Sequence, residues 1–422
     1  MRQAHPVIEM AALLATTVLL AGVLAAQTAQ QQKTPAQASP AKSSQGSESA
    51  FNALKTKADA ARDAEKLDEA ARLYRRALAM RPGWAEGWWS LGTIDFDSSR
   101  YAEGEEDFRR LLKLAPKDGS ANMMLGLCEY ELGAYDDSSK HLALAWKLGI
   151  RDAEDMEPVL LYHQALLALR ARRFEAACQL LQQMTHKGLL NRDVELAYGM
   201  GVMRITPDEV PPVQSPAFRV IYRVGHAQAS DLIDAHQQAR DLYEEVVNAN
   251  PDFPNIHYAY GRFLMAINEP DAATEQFKLE LKNNPNDFYS MLKIASLDYR
   301  VDSAAGIPYA EAALKLAPRY PMAHYLLGIL CLDSGDIDQA IKELEWVRKI
   351  LPTEPQVAFS LANAYTKAHR KEDAAQEKAE FMKLQAAQKD DNTQTYYDET
   401  PNTGMRLGNQ DSDAGAKAEN AH

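Results

Sequence analysis

Proline recurs in this chain at intervals of about 34 residues, and this spacing restricts the fold more than any other feature. The prolines that keep the interval are Pro82, Pro116, Pro251, Pro285, Pro318 and Pro352. Pro116 and Pro251 are 135 residues apart, one short of four such intervals, so the phase continues where the proline is missing. A fixed period of this length indicates a stack of repeated helical units instead of independent globular domains.

Large and small apolar residues keep the same phase. One repeat contains Trp88, Leu91, Gly92, Phe108 and Pro116, and later ones contain Tyr260, Gly261, Ala273 and Phe277, then Leu327, Gly328, Ala340 and Leu344. The pattern resembles the tetratricopeptide repeat, W-x2-L-G-x2-Y, then A-x3-F, then P, over residues 51–388. The resemblance implies an all-α fold, an α-solenoid in which antiparallel helix pairs form a superhelix.

Small residues are expected where the two helices of a repeat meet. They are Gly92, Gly126, Gly261 and Gly328 in the first helices, and Ala70, Ala273, Ala340 and Ala374 in the second helices. They allow the two backbones to approach closely, and the proline then ends the second helix. No repeat buries its apolar face alone, so neighbouring repeats must stack.

The repeats fall into a block of four at 51–189 and a block of five at 220–388. The intervening segment, 190–219, reads as a degenerate repeat whose first half is helical. Its second half holds Pro207, Pro211, Pro212 and Pro216, which forbid a regular helix. We interpret it as a loop, either an insertion that splits the array or a hinge or docking loop. In 220–253 the stretch SDLIDAHQQ lacks a glycine, so either a helix break or one longer helix is possible.

Both ends of the chain differ from the array. Residues 1–26 resemble a secretory signal with an apolar run from Met10 to Leu24, shorter than the roughly 20 residues that cross a bilayer. Residues 27–50 predict a disordered linker, and residues 389–422 predict a disordered acidic tail. The chain is therefore expected to be exported and periplasmic or secreted. The alternative is an inner-membrane anchor formed by residues 10–26.

Charge and chemistry exclude several classes. The chain has 46 Lys and Arg against 59 Asp and Glu, a net charge of −13, which argues against a nucleic-acid partner. Neither a catalytic motif nor a phosphate-binding glycine loop appears, so we predict no enzyme, cofactor or metal site. His257 and His324 occupy the position of Trp88 in their own repeats, and we interpret them and the three cysteines as packing residues.

An aromatic and apolar stripe is predicted along the first helices, which line the concave face in this repeat family. The candidate protein-binding residues are Trp89, Phe96, Met123, Tyr130, Tyr162, Tyr258, Arg262, Tyr299, Tyr325 and Phe359. Aromatic side chains give a large contact area at low entropic cost and are enriched at interfaces. The leading hypothesis is a scaffold or adaptor that binds other proteins or peptides in the cell envelope. The alternatives are a membrane-anchored structural subunit of an envelope machine and an enzyme with an unrecognised site.

Overall fold

The computed structural model describes residues 41–390, which form nineteen α-helices and one short 3₁₀ helix, with no strand among them. This confirms the predicted all-α repeat architecture. The predicted signal at 1–26 and the predicted tail beyond residue 390 lie outside the described residues. Among the helices of the described part, none is both long and apolar enough to cross a bilayer.

The chain divides into two compact units between Leu167 and Ala168, a point that lies inside helix α7. The segment 190–219 therefore lies within the C-terminal unit. The boundaries 51–189 and 220–388 of the two predicted repeat blocks remain predictions.

The N-terminal unit is a series of antiparallel helix pairs. Its helices are α1 (Ala41–Asp63), α2 (Leu67–Met80), α3 (Ala85–Asp97), α4 (Tyr101–Leu114), α5 (Gly119–Glu131), α6 (Tyr135–Leu148) and the first part of α7 (Ala153–Arg170). Consecutive helices pack as α1 on α2, α3 on α4 and α5 on α6.

Helix α1 begins at Ala41, so the predicted disordered linker at 27–50 is wrong for its last ten residues. Tertiary contacts explain the difference. Phe51 is buried, its ring lies 5.1 Å from that of Trp84, and the Arg81 guanidinium stacks 3.8 Å from the Phe51 ring centre. Arg81 also donates to the Glu48 carboxylate, which ties this part of α1 to the end of α2. Of these residues only Glu48 lies inside the predicted linker, and its ion pair with Arg81 extends the helix contacts that Phe51 makes within the first predicted repeat.

The C-terminal unit continues the pattern of paired helices. Its helices after α7 are α8 (Phe174–His186), α9 (Arg192–Val202), α10 (Pro216–Leu232), α11 (His236–Ala249), α12 (Ile256–Ala266), α13 (Pro270–Asn283), α14 (Phe288–Asp298), α15 (Ser303–Leu316), α16 (Pro321–Ser334), α17 (Ile337–Ile350), α18 (Pro355–Lys367) and α19 (Lys371–Asp390). One buried apolar cluster runs from α14 to α18 and includes Leu326, Leu344 and Val357.

The proline-rich segment is a loop, as the sequence predicts, between α9 and α10. It contains only a 3₁₀ helix at Pro207–Glu209, and the break between α10 and α11 at 233–235 excludes a single long helix there. The following helix begins at Pro216 and not at 220, because proline fits the first helical position, where no N–H is needed. Ser215 caps this helix by accepting the N–H of Phe218 at 3.1 Å.

The turns within the repeats share a left-handed residue that the sequence pattern did not reveal. These residues have positive φ angles and are Glu65, Ser99, Gly133, Arg172, Arg204, Asp234, Asn268, Arg300, Gly335 and His369. In most of these turns the next N–H bonds back five residues, as from Arg100 to the Asp95 carbonyl at 2.8 Å. This is the Schellman helix ending, which usually takes glycine. Only two of these ten positions are glycine, so the sequence gives a weak signal for the turns.

The residue six positions after the repeat proline bonds to its carbonyl in three repeats. The Trp88 indole N–H donates to the Pro82 carbonyl at 2.8 Å. Ring nitrogens of His257 and His324 lie 2.9 and 3.0 Å from the carbonyls of Pro251 and Pro318, respectively. The prediction that these histidines are packing residues equivalent to Trp88 is therefore confirmed.

The predicted close contact between paired helices is also confirmed. A Cβ added to Gly92, Gly261 or Gly328 would lie 2.7–2.9 Å from Phe108, Phe277 or Leu344. The contact between α9 and α10 is tighter, because the neighbouring atoms belong to the backbone. A Cβ on Gly225 would lie 1.8 Å from the Glu195 carbonyl oxygen, and one on Gly199 would lie 2.1 Å from that of Ile221.

The α9–α10 contact predicts a large cost for the change Gly225→Ala. A side chain can rotate away from an added methyl group, but a backbone carbonyl moves only with its helix, so we expect a loss of about 3 kcal/mol of stability. Urea unfolding followed by circular dichroism measures it. The matched control is Gly83→Ala, whose added Cβ meets nothing within 4 Å and which should change stability by less than about 1 kcal/mol. Equal effects for the two variants would contradict the prediction.

Candidate functional site

The ten predicted binding residues differ widely in exposure. Five are buried: Met123, Tyr130, Tyr162, Tyr258 and Tyr325. Phe359 is exposed, and the other four are partly buried: Trp89, Phe96, Arg262 and Tyr299. The five buried side chains pack between helices and present no contact surface here. Tyr325, for example, shares a 3.2 Å hydrogen bond with Ser360 on the next repeat.

In the N-terminal unit, the accessible part of the predicted stripe consists of Trp89 and Phe96 on α3. The Trp89 ring contacts Phe108 edge-on at 5.8 Å and lies 4.4 Å from the Arg151 guanidinium. Phe96 contacts Tyr101 at 5.4 Å. Both rings are therefore held by neighbours on one side while keeping some exposed surface.

In the C-terminal unit, Phe359 and Tyr299 are the accessible aromatic members. Phe359 is 43% exposed and its ring lies 5.3 Å from that of Phe381 on α19. Tyr299 lies 5.0 Å from the Arg300 guanidinium. Tyr299 and Phe359 belong to different repeats of this unit, as the repeat period predicts.

Arg262 is predicted as a ligand contact, but the structure commits it to an internal ion pair. Its side chain is 10% exposed and donates to the Glu175 carboxylate at 2.8 Å, linking α12 to α8. A cation this enclosed and already paired is a structural link between two helices. It does not present its charge to an external ligand in this conformation.

A pocket of about 510 Å³ lies in the C-terminal unit beside the proline-rich loop. Such a volume is within the range of small-ligand sites. Charged and amide side chains on its lining are Arg172, Arg204, Glu209, Asn255, Asn284, Asn286 and Asp287. Apolar side chains on its lining include Ile205, Pro211, Ile221, Phe253, Phe288 and Tyr289.

Two arginines reach the pocket from the left-handed turn position. Arg172 follows α7 and Arg204 follows α9, with φ angles of 55° and 59°. Arg204 is only 7% exposed, and its guanidinium carbon lies 3.1 Å from the Tyr289 ring centre and 5.1 Å from that of Phe174. A guanidinium between aromatic faces is held by cation–π attraction. Arg204 thus brings a fixed positive charge to the pocket wall.

The proline-rich loop is attached to this wall by two ion pairs. Arg170 donates to Asp208, and Arg172 donates to Glu209 at 2.6 Å. The other Glu209 oxygen accepts the backbone N–H of Thr206 at 2.8 Å, which forms a capping box around the 3₁₀ helix. The adjacent acidic residues Asp208 and Glu209 therefore bind Arg170 at the end of α7 and Arg172 in the α7–α8 turn.

Sequence reasoning missed the pocket arginines and identified only the loop beside them. The available signal was the cluster L-R-A-R-R-F at 169–174, which is unusual in a chain with a net charge of −13. Arg204 had no such signal, because a left-handed arginine is not apparent from the repeat pattern.

Two of the three cysteines in the described part of the chain, Cys128 and Cys331, are buried. Burial raises the pKa values of the Cys128 and Cys331 thiols, so both remain protonated and weakly nucleophilic. Among the described residues, no three His, Cys, Asp or Glu side chains converge as a metal site.

A buried acidic pair lies between α3 and α4 in the N-terminal unit. Asp95 is fully buried and accepts from Arg75 at 2.6 Å and from Arg100 at 2.7 Å. Burial, and then the neighbouring charge of Asp95, raise the pKa of Asp107 from 3.8 to about 7. Asp107 therefore binds a proton more readily than an exposed aspartate does.

The shifted pKa predicts a pH-dependent stability that Asp107→Asn removes. The folded protein keeps a proton on Asp107 that the unfolded chain releases, so this residue's contribution to the free energy of unfolding falls as pH rises from about 4 to about 7. The neutral amide should flatten that decrease. Urea midpoints across this pH range measure the effect. Glu103→Gln, at an exposed acid of α4, should keep the decrease, and a decrease unchanged by Asp107→Asn would contradict the assignment.

Comparisons with known proteins agree with the repeat architecture. Tetratricopeptide repeat models match residues 55–96, 91–145, 234–293 and 296–355, which together cover half of the chain. The human protein O-mannosyl-transferase TMTC3 is 27% identical over 103 residues, or 24% of this chain and 11% of that protein. Subunit 3 of the anaphase-promoting complex of Schizosaccharomyces pombe is 22% identical over 158 residues, or 37% of this chain and 24% of that subunit.

The chain thus spans between about a tenth and a quarter of the length of these two curated relatives. Among solved structures, a MamA double mutant (RS-1 ArsTM) is similar with a TM-score of 0.39 and 20% identity. That match covers 41% of this chain and 98% of the MamA chain.

Proposed function

The chain belongs to the tetratricopeptide-repeat family, and we propose that it is a scaffold that binds other proteins or peptides. The observation that carries the proposal is the set of stripe aromatics that keep exposed surface after the helices have packed, with Phe359 at 43% as the clearest member. Exposed aromatic side chains fixed by their neighbours lose little entropy when a partner covers them. Trp89, held by Phe108 and Arg151, has the same property in the N-terminal unit.

The strongly shifted titratable groups also support a binding role over a catalytic one. The carboxyl and thiol groups with strongly raised pKa values are Asp97, Asp107, Cys128 and Cys331, and none of them lines the pocket of the C-terminal unit. An acid–base mechanism requires shifted groups that converge on a space for substrate.

The proposal predicts that Trp89→Ala and Phe359→Ala weaken partner capture without unfolding the chain. Each change removes a ring whose exposed face contacts the partner, and truncation of an interface aromatic costs about 1–3 kcal/mol, or roughly 5- to 150-fold in affinity. The measurement is affinity capture from the native source with quantitative mass spectrometry, followed by titration of the partner identified.

The matched control is Tyr325→Phe, which removes only the buried hydroxyl that bonds to Ser360. It should capture the partner normally. Circular dichroism verifies the folding of all three variants. Full binding by both alanine variants would refute a role for the exposed aromatic residues.

We also propose that the protein acts in the cell envelope as an exported protein. The support is the apolar run from Met10 to Leu24, which is followed by small residues. A scaffold in that compartment would bind periplasmic or secreted partners. The competing proposal is a structural subunit anchored in the inner membrane by residues 10–26.

N-terminal sequencing of the protein from its native source distinguishes these proposals. Cleavage should give a mature start near Gln27, because the small residues Ala25 and Ala26 precede it. An intact Met1 together with recovery in the membrane fraction would favour the anchored subunit.

A further inference from the structure

We propose that the C-terminal unit has a binding site for acidic, extended peptides and that residues 208–215 of the proline-rich loop occupy this site as an internal competitor. The site is formed by the basic α7–α8 turn and the adjoining pocket. The inference rests on the proposed protein-binding function. It specifies that the partner is an acidic peptide and that the loop regulates binding of that peptide.

The charge of the site is the first argument. The chain is acidic overall, with a net charge of −13, yet Arg170 and Arg172 pair with the acidic residues of the loop and Arg204 lies on the wall of the pocket beside them. A basic cluster on an acidic scaffold selects negatively charged segments by attraction and rejects basic ones. Guanidinium groups suit this role because they bind carboxylates through more than one N–H.

The loop itself shows what kind of ligand the cluster binds. Asp208 and Glu209 pair with Arg170 and Arg172, so two adjacent carboxylates match two basic positions. Pro207, Pro211 and Pro212 restrict the segment to extended or turn conformations and lower its entropic cost of binding. The loop is therefore an example, within the same molecule, of an acidic proline-containing peptide on this surface.

The pocket beyond the ion pairs offers space for the rest of such a peptide. Phe253, Phe288 and Tyr289 provide apolar and aromatic walls, while Asn284 and Asn286 are exposed amides. Amide side chains both donate and accept hydrogen bonds, which suits the N–H and C=O groups of an extended backbone. The lining thus complements a peptide main chain as well as its acidic side chains.

Met203, Arg204 and Thr206 are buried and stay in place. The segment 208–215, which is exposed or partly buried, can leave without unravelling the fold. It lies between α9 and α10, which contact each other directly through Gly199 and Gly225. Asp208 and Glu209 remain 72% and 47% exposed, so water competes for their ion pairs and each contributes little to stability. An external peptide with several carboxylates can therefore replace them.

Fluorescence anisotropy of a labelled synthetic peptide tests the inference on the full chain. The probe is the loop's own sequence, TPDEVPPV, corresponding to Thr206–Val213. The neutral comparison peptide has the changes Asp208→Asn and Glu209→Gln.

The double variant Asp208→Asn/Glu209→Gln of the protein should bind the acidic probe at least about tenfold more tightly than the unmodified chain. Neutralising the internal competitor raises the fraction of chains with an open site. Adding Arg170→Gln and Arg172→Gln to the double variant should abolish the gain, because the charge-assisted hydrogen bonds are lost. The neutral peptide should bind weakly to every variant.

The control is Asp271→Asn/Glu275→Gln, which removes the same charge from exposed acids on α13. It should bind the probe as the unmodified chain does. Equal probe affinity for the loop variant and this control would overturn the inference, and so would equal binding of acidic and neutral peptides. Circular dichroism checks that each variant is folded.

Failure of this inference is distinguishable from failure of the proposed scaffold function. Loss of partner capture in Trp89→Ala and Phe359→Ala, with no effect of the loop changes on probe binding, would uphold the scaffold and reject the loop as competitor. Charge-dependent probe binding with normal capture by both alanine variants would support the peptide site and reject the aromatic surface.

Discussion

The close approach of two helices at a small residue is the contact on which the rest of the structure depends. Gly92, Gly261 and Gly328 each leave room for one large side chain of the paired helix, so each repeat is a preassembled hairpin. The face left over is apolar and must be covered by the next hairpin. The repeat period of the sequence follows from the need to cover each hairpin with the next. The exposed positions are those used neither in the contact within a hairpin nor in the contact between hairpins.

The turn between the helices has a second, independent effect. The turn inside each described repeat holds one residue in the left-handed region. Backbone hydrogen bonds specify the geometry of this turn, so the type of side chain at that position can vary. Serine and glutamate occupy it at Ser99 and Glu65, whereas Arg172 and Arg204 carry charge to the pocket. A position with a fixed backbone and a variable side chain is a means of giving one repeat a property that its neighbours lack.

The fold could be predicted from the sequence because period and residue size both report on the same packing. The proline-rich loop was predictable for the same reason, since Pro207, Pro211 and Pro212 break a pattern that is regular elsewhere. The candidate site was less accessible. The position of a residue in the repeat indicates which way its side chain points, but not whether the next hairpin covers it. Tyr258 and Tyr325 are buried because neighbouring helices cover them. The ion pair of Arg262 could not be predicted, because its partner, Glu175, is 87 residues away in sequence.

The backbone contact between α9 and α10 has a consequence for how the protein can change over evolutionary time. The backbones of these helices approach closely at Gly199 and Gly225, a contact that does not involve the exposed part of the segment that joins them. Insertions, deletions and substitutions between residues 208 and 215 therefore disturb the helix stack little, because loop length has only a small effect on stability. The segment is free to diversify in composition while the repeats around it stay constrained, so new specificities can arise there without a new scaffold.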